Sequence, residues 1–276
     1  MNKKRKVVQS LSALLMNAHL AGLVNGSIWR GASKAICVPG LNCYSCPAAL
    51  FACPLGSLQA ALGDIRYKLP LYICGLLLLF GAVLGRAVCA FLCPFGFIQE
   101  MLHKIPSPKI LKNTLTQRLT TLKYLVLALF VLALPLGAAI GYGTPLPAFC
   151  SFLCPVGTLE GGIPLALANA SIRDLLGLLF AWRVLWLFGI LLACILCYRA
   201  FCRFLCPLGA IYSLFNRWAL WKNRMRPECI GCGNCAASCS LDVQVFGDHE
   251  CLLCGDCVAT CSKNQNGVSL CPSKRT

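Results

Sequence analysis

Arg86-Ala87-Val88-Cys89-Ala90-Phe91-Leu92-Cys93-Pro94-Phe95-Gly96-Phe97-Ile98-Gln99 is the stretch on which the fold turns. Its second part recurs as Phe51-Ala52-Cys53-Pro54-Leu55-Gly56-Ser57-Leu58-Gln59, as Phe152-Leu153-Cys154-Pro155-Val156-Gly157-Thr158-Leu159-Glu160 and as Phe204-Leu205-Cys206-Pro207-Leu208-Gly209-Ala210-Ile211-Tyr212. In three copies a second cysteine stands four residues upstream, giving Cys89/Cys93, Cys150/Cys154 and Cys202/Cys206. The first copy instead has Cys46-Pro47 and Cys53-Pro54, preceded by Cys37 and Cys43. The second and fourth copies match further, Arg86-Ala87-Val88-Cys89 against Arg199-Ala200-Phe201-Cys202. Such self-similarity marks a tandem duplication, with halves at 1–112 and 113–217.

Composition says where these halves sit. Of 276 residues 58% are hydrophobic and 12% charged, and the mean hydropathy is +0.72. Those values exclude an ordinary soluble domain and a disordered chain. The 22 cysteines are too many for a cytosolic enzyme, and the chain is too long and apolar for a disulfide-stapled secreted domain. Four apolar stretches, 7–29, 69–85, 124–143 and 175–198, approach the roughly 20 residues that a bilayer core requires. The first follows Lys3-Lys4-Arg5-Lys6 and reads as a retained anchor rather than a cleaved signal. With the N-terminus inside, segments 1–6, 86–123 and 199–276 carry 19 of the 25 Lys+Arg, against 5 in the outer loops 30–68 and 144–174. This is the positive-inside asymmetry. The net charge of +16 is therefore a topology signal, and no basic stripe on a soluble domain supports nucleic-acid binding.

The cysteine pairs then fall on two faces. Residues four apart on a helical turn share one side. Proline after the second thiol stops the preceding helix pattern, and the glycine two residues later permits a tight bend. One pair supplies two thiolates and a [4Fe–4S] cluster takes four, so the two halves together supply one cluster per face. The inner set is Cys89, Cys93, Cys202 and Cys206. For the outer set, Cys150 and Cys154 are joined by Cys46 and Cys53, since each of the latter precedes proline. Cys37 and Cys43 are left as a disulfide or as ligands of a fifth, outer cluster. Isolated Cys74, Cys194, Cys197 and Cys271 read as packing thiols.

Residues 218–276 read as a separate cytoplasmic module. Cys229-x2-Cys232-x2-Cys235-x3-Cys239 is followed by Cys251-x2-Cys254-x2-Cys257-x3-Cys261. This is the bacterial two-cluster ferredoxin spacing, in which the fourth cysteine of each run serves the other cluster. Cys229, Cys232, Cys235 and Cys261 would hold one cubane; Cys251, Cys254, Cys257 and Cys239 would hold the other. Gly231, Gly233 and Gly255 let main-chain N–H groups approach sulfur. Zinc shares the Cys-x2-Cys spacing, but eight thiols with three-residue final gaps favour cubanes.

On these motifs, strongest at 86–96, 199–209 and 229–261, the chain resembles the NapH/NosR-type polyferredoxin membrane proteins. The resemblance implies electron movement between the quinone pool or cytoplasmic carriers and periplasmic partners. The outer cysteines are extra relative to NapH, which puts the role of quinol dehydrogenase in doubt. The flavin-bearing outer domain of NosR has no counterpart in these residues.

The expected fold is thus a membrane all-α domain over 1–217, with four transmembrane helices, two per half, and re-entrant Cys-Pro loops near 48–63 and 156–170. The small α+β ferredoxin module follows. The protein would lie in the cytoplasmic membrane, multi-pass, with both termini cytoplasmic. Four [4Fe–4S] clusters would link a cytoplasmic electron donor or acceptor to an outer-face redox protein, flavin- or haem-bearing by resemblance. A hydrocarbon core of about 30 Å is too thick for one fast hop, so the clusters must be recessed into it. Arg86 and Arg199, beside the inner pairs, would favour the reduced, more negative cluster. One alternative is a quinol/quinone oxidoreductase subunit, with intramembrane His19 and Arg183 as pocket groups. Another is a transmembrane thiol–disulfide relay, suggested by Cys43-Tyr44-Ser45-Cys46. A homodimer and a bound quinone remain open here.

Overall fold

The computed structural model describes residues 3–63, 71–110, 114–144, 146–225, 232–241, 243, 248–260 and 268–272. Its organising element is the Cys-Pro dipeptide, and each one starts a helix: Pro54–Gly63, Pro94–Leu102, 155–168 and Pro207–Asn216. Proline suits the first helical position because its φ is preset and its missing N–H has no partner there. The preceding cysteine becomes the N-cap, in extended conformation at Cys93 (φ −79, ψ 115) and Cys206 (φ −71, ψ 113). The proline therefore opens the following helix rather than merely closing the previous one.

Short helices Ala87–Phe91, Ala148–Phe152 and Ala200–Phe204 carry the upstream cysteines of three copies. The first copy has none. Its chain runs extended there, with the Val38 N–H donating to Ala52 O (3.1 Å) and the Ala52 N–H to Ile36 O (3.0 Å).

The expectation of four spanning helices is corrected to two. Thr116–Tyr142, with 27 residues and a π-helical middle at Leu127–Ala133, and Leu178–Leu196, with 19, are long and apolar enough to cross a bilayer. Stretch 7–29 breaks into the helices Lys3–Met16 and Leu20–Asn25. The break is local chemistry: Asn17 Nδ2 bonds back to Ala13 O, and the His19 ring turns to Pro47 O at 2.9 Å. The first of these helices also buries a polar stripe, with Gln9 Nε2 on Ala90 O (2.6 Å) and Ser12 Oγ on Leu92 O (3.0 Å). Leu71–Leu84 has 14 residues, about 21 Å of helix, and ends at the left-handed Gly85 (φ 53).

The chain is charged within and apolar without. Arg5, Arg86, Lys123 and Arg199 are fully buried, whereas Leu71, Leu79, Ile140 and Leu185 are exposed. After Asn216 a two-stranded antiparallel pair, Trp221–Met225 with Val268–Pro272, frames the helical turns Asn234–Ala237 and Asp256–Ala259. Apart from this pair and the Cys37–Ala52 bridge, the regular elements among the described residues are helical.

Candidate metal centres

Cys89, Cys93, Cys202 and Cys206 converge. All four are buried, and each lies within electrostatic reach of others in the set. The two N-cap sulfurs accept from the amide of their own motif glycine: the Gly209 N–H donates to Cys206 Sγ (3.4 Å), and the Gly96 N–H faces Cys93 Sγ. Here the first free amides and the positive end of the helix both favour a thiolate. Only glycine fits at that third helical position. A Cβ on Gly96 would sit 3.1 Å from the Cys89 carbonyl oxygen, and one on Gly209 3.1 Å from that of Cys202.

The two halves grip each other through the same atoms. Arg199 Nη1 donates to Cys89 O at 2.7 Å, and Arg86 Nη2 to Cys202 O at 3.4 Å. Gln99 donates Nε2–H to Cys202 Sγ at 3.0 Å, while its Oε1 accepts from the Cys202 amide and from the Cys194 thiol, each at 3.4 Å. Cys194 therefore packs and also orients Gln99.

A second set forms around the other two Cys-Pro helices. Cys150 Sγ and Cys53 Cβ each lie 3.9 Å from where a Gly56 Cβ would stand; Cys154 Sγ and Cys43 Sγ each lie 3.9 Å from that of Gly157. The Gly157 N–H donates to Cys154 Sγ (3.4 Å), and the Gly56 N–H faces Cys53. Gln59 donates to Cys150 Sγ at 3.3 Å and accepts from the Phe149 amide at 3.0 Å. Glu160 accepts from the Cys43 amide at 3.2 Å. The structure thus brings Cys43 to Cys53, Cys150 and Cys154. Cys46 packs with Ala48 and Ala49, with Cys43 against the same cluster, and its Sγ lies 3.9 Å from Asn17 Oδ1. Cys37 lies against Ser57 Oγ at 3.4 Å, and no disulfide joins it to Cys43.

Gln59, Gln99, Glu160 and Tyr212 are the residues that sequence reasoning missed. All four occupy the same place, the ninth of each repeat, six residues after the Cys-Pro thiol. That shared register was the available signal.

The two sets are close neighbours. The main-chain amide of Leu41 faces Cys93 Sγ and that of Asn42 faces Cys53 Sγ. The segment that carries both amides packs on the inner set, where a Cβ on Gly40 would lie 3.2 Å from Cys93 Cα. Tyr212, fully buried, stands among Cys53, Cys89, Cys93 and Cys206 and donates to Pro39 O at 2.8 Å.

At the C-terminal module, Cys257 lies within electrostatic reach of Cys251, Cys235 and Cys239, and Cys254 within reach of Cys251. Gly233 (φ 72) and Gly255 (φ 77) adopt the left-handed conformation that glycine permits, each opening a helical turn. Cys229, Cys261 and Gly231 lie outside the described residues. Ionic contacts seat this module on the inner set. Arg86 Nη1 meets Glu250 Oε2 at 2.6 Å and Lys123 joins the same carboxylate. Arg5 bridges Glu100 (3.0 Å) and Asp256 (3.4 Å), and Arg199 closes on Glu100 at 2.6 Å. Asn216 Nδ2 donates to Cys251 O at 2.9 Å.

The thiol sets suit iron–sulfur clusters better than free thiol chemistry. Burial pushes the bare Cys89 thiol up to about 11; burial and the neighbouring Cys202 push Cys93 up to about 12. Such thiols are inert as nucleophiles, whereas a coordinating metal deprotonates them outright.

The proposed pocket residues complete the inventory. His19 lines a cavity of about 610 Å³ with Trp29, Arg30, Leu165 and Ile172. Arg183 does not; it donates to Ser151 O at 2.5 Å.

The 4Fe-4S binding domain family matches residues 51–72, 69–113, 124–163 and 178–226, more than half of the chain. An uncharacterized protein of Methanocaldococcus jannaschii is 26% identical over 170 residues, 59% of this chain and 62% of its own length. The methylamine utilization ferredoxin-type protein MauN of Paracoccus denitrificans is 27% identical, over 56% of this chain and 48% of its own. MauN of Methylobacillus flagellatus is 22% identical, over 79% and 65% respectively. The chain thus spans about half to two thirds of the length of these relatives. No solved structure matches it. Its repeated Cys-Pro-x-Gly motifs and these matches agree: the chain belongs to the 4Fe-4S binding domain family, as a polyferredoxin-type protein.

Proposed function

We propose that the chain carries electrons across the cytoplasmic membrane between a cytoplasmic redox partner and one on the outer face. Cys89, Cys93, Cys202 and Cys206 hold the inner [4Fe–4S] cluster, and Cys43, Cys53, Cys150 and Cys154 the outer one. The eight cysteines of residues 229–261 hold two more. When bound, such clusters supply one-electron transfer at low potential.

The observation that carries this reading is the closeness of the two membrane sets. Adjacent residues Leu41 and Asn42 face Cys93 of one set and Cys53 of the other, and Tyr212 stands among thiols of both, so the step between them is shorter than the full thickness of about 30 Å. The membrane setting is supported by the two long apolar helices, whose most hydrophobic windows are only 22% and 17% buried. A core helix of a soluble protein would be largely buried. With these two helices as the spans, residues 1–115 and 197–276 share one face and carry 21 of the 25 Lys+Arg, against one in 143–177, which supports a cytoplasmic ferredoxin module.

Iron and acid-labile sulfide per chain, measured on protein purified without oxygen, test the reading. About sixteen irons correspond to four cubanes and support it. About eight leave the membrane thiols unloaded and refute it.

The cavity beside His19 and Trp29 favours a second reading, a quinone-linked subunit. A menaquinone analogue that alters cluster reduction in the wild type, and has no effect in His19→Leu, would select it.

A further inference from the structure

The segment between Cys37 and Cys43 does more than connect them. Leu41 and Asn42 are almost wholly buried, and Gly40 packs so tightly that a Cβ there would lie 3.2 Å from Cys93 Cα. Tyr212 clamps the segment through Pro39 O. Its two consecutive amides serve different sets, Leu41 facing Cys93 and Asn42 facing Cys53. The side chain of Asn42 is wholly buried, yet among the described residues neither its Nδ2 nor its Oδ1 has a hydrogen-bond partner. An unsatisfied buried carboxamide is costly. The main-chain amide of the same residue faces Cys53, and a cluster held by that thiol would bring sulfur, a hydrogen-bond acceptor, to this neighbourhood.

We propose that Asn42 is a positioning residue of the outer cluster: its side-chain amide donates to a sulfur of that cluster, on a peptide shared with the inner cluster. This rests on the four-thiol assignments made above. Hydrogen bonds to sulfur stabilise the more reduced, more negative state and raise the potential. The Leu41–Asn42 peptide then couples the two sites, since any movement of it alters a sulfur contact at both.

The test is a potentiometric titration followed by electron paramagnetic resonance, on full-length protein purified without oxygen. Iron content is measured first; a wild type holding only about eight irons overturns the cluster assignment itself. With all clusters loaded, Asn42→Leu is expected to move the electron distribution about tenfold away from the outer cluster, about 59 mV for a one-electron couple. The inner midpoint should stay within error. An unchanged outer midpoint in a fully loaded variant overturns the role of Asn42. Wild-type protein labelled with ¹⁵N in asparagine side chains gives an independent reading if the variant fails to load. A ¹⁵N hyperfine coupling on the reduced outer cluster is expected, and its absence refutes the proposal.

Discussion

Gln99 reaches from one half of the duplication into the other and donates its amide to the Cys202 sulfur at 3.0 Å. Gln59 repeats the reach toward Cys150 at 3.3 Å. Each thiol set is therefore completed by a side chain of the opposite half, at a position fixed by the helix that its own Cys-Pro motif starts. Replacing Gln99 by Leu should lower the inner cluster's midpoint by roughly 50 mV, the equivalent of one hydrogen bond of about 1 kcal/mol. Cys194→Ala, which frees the Gln99 carbonyl, should shift it in the same direction by less. Potentiometric titration measures both.

Cys43 and Cys46 are separated by a pair of substitutions. Cys43→Ser should reduce iron from about sixteen to about twelve per chain, whereas Cys46→Ser should leave it unchanged. Iron analysis with sulfide determination decides between them, and the reverse result would restore Cys46 as ligand.

Gly96 should not tolerate a side chain. The Cβ of Gly96→Ala would lie 3.1 Å from a main-chain oxygen that Arg199 already holds. Overpacking of this kind costs about 1–3 kcal/mol. Loss of the inner-cluster resonance, with the ferredoxin-module signals intact, is the expected outcome. Gly137→Ala, where nothing lies within 4 Å of the added carbon, is the control.

Glu100 ties Arg5 to Arg199, and its removal should be severe. Burial opposes its ionisation, but Arg199 and Arg5 outweigh burial and hold its pKa below the ordinary 4.5. A depressed carboxylate pKa contributes stability that is complete above 4.5 and is lost as pH falls through the depressed value. Glu100→Gln leaves Arg199 without its carboxylate and Arg5 with Asp256 alone, at a cost of about 3–5 kcal/mol. Thermal unfolding of the variant should start from a lower midpoint and lose the acid-side slope that the wild type shows below the ordinary carboxylate value of 4.5.

Much of this was legible beforehand. The four-fold Cys-Pro-x-Gly repeat, the inner thiol set and the ferredoxin spacing were all visible as identical residues at identical intervals. The outer set was only partly visible, because the first copy has Ala49 where the others have a cysteine. An extended segment delivers Cys43 to that vacancy, and local spacing cannot show a long-range delivery. Stretch 7–29 misled for a related reason. Its polar residues Gln9 and Ser12 serve main-chain oxygens at 90 and 92, which hydropathy alone counts merely as weak span residues.

Glu100 stands seven residues after Cys93, and the matching place after Cys206 is Ser213. The fourth copy thus has no carboxylate of its own for Arg86. Glu250 supplies it from 164 residues further along the chain. Until that part of the polypeptide has emerged from the ribosome, the core keeps an uncompensated cation at its centre. The last fifth of the chain thus completes the charge balance of the first four fifths, and a protein truncated before Glu250 is expected to leave Arg86 without its carboxylate.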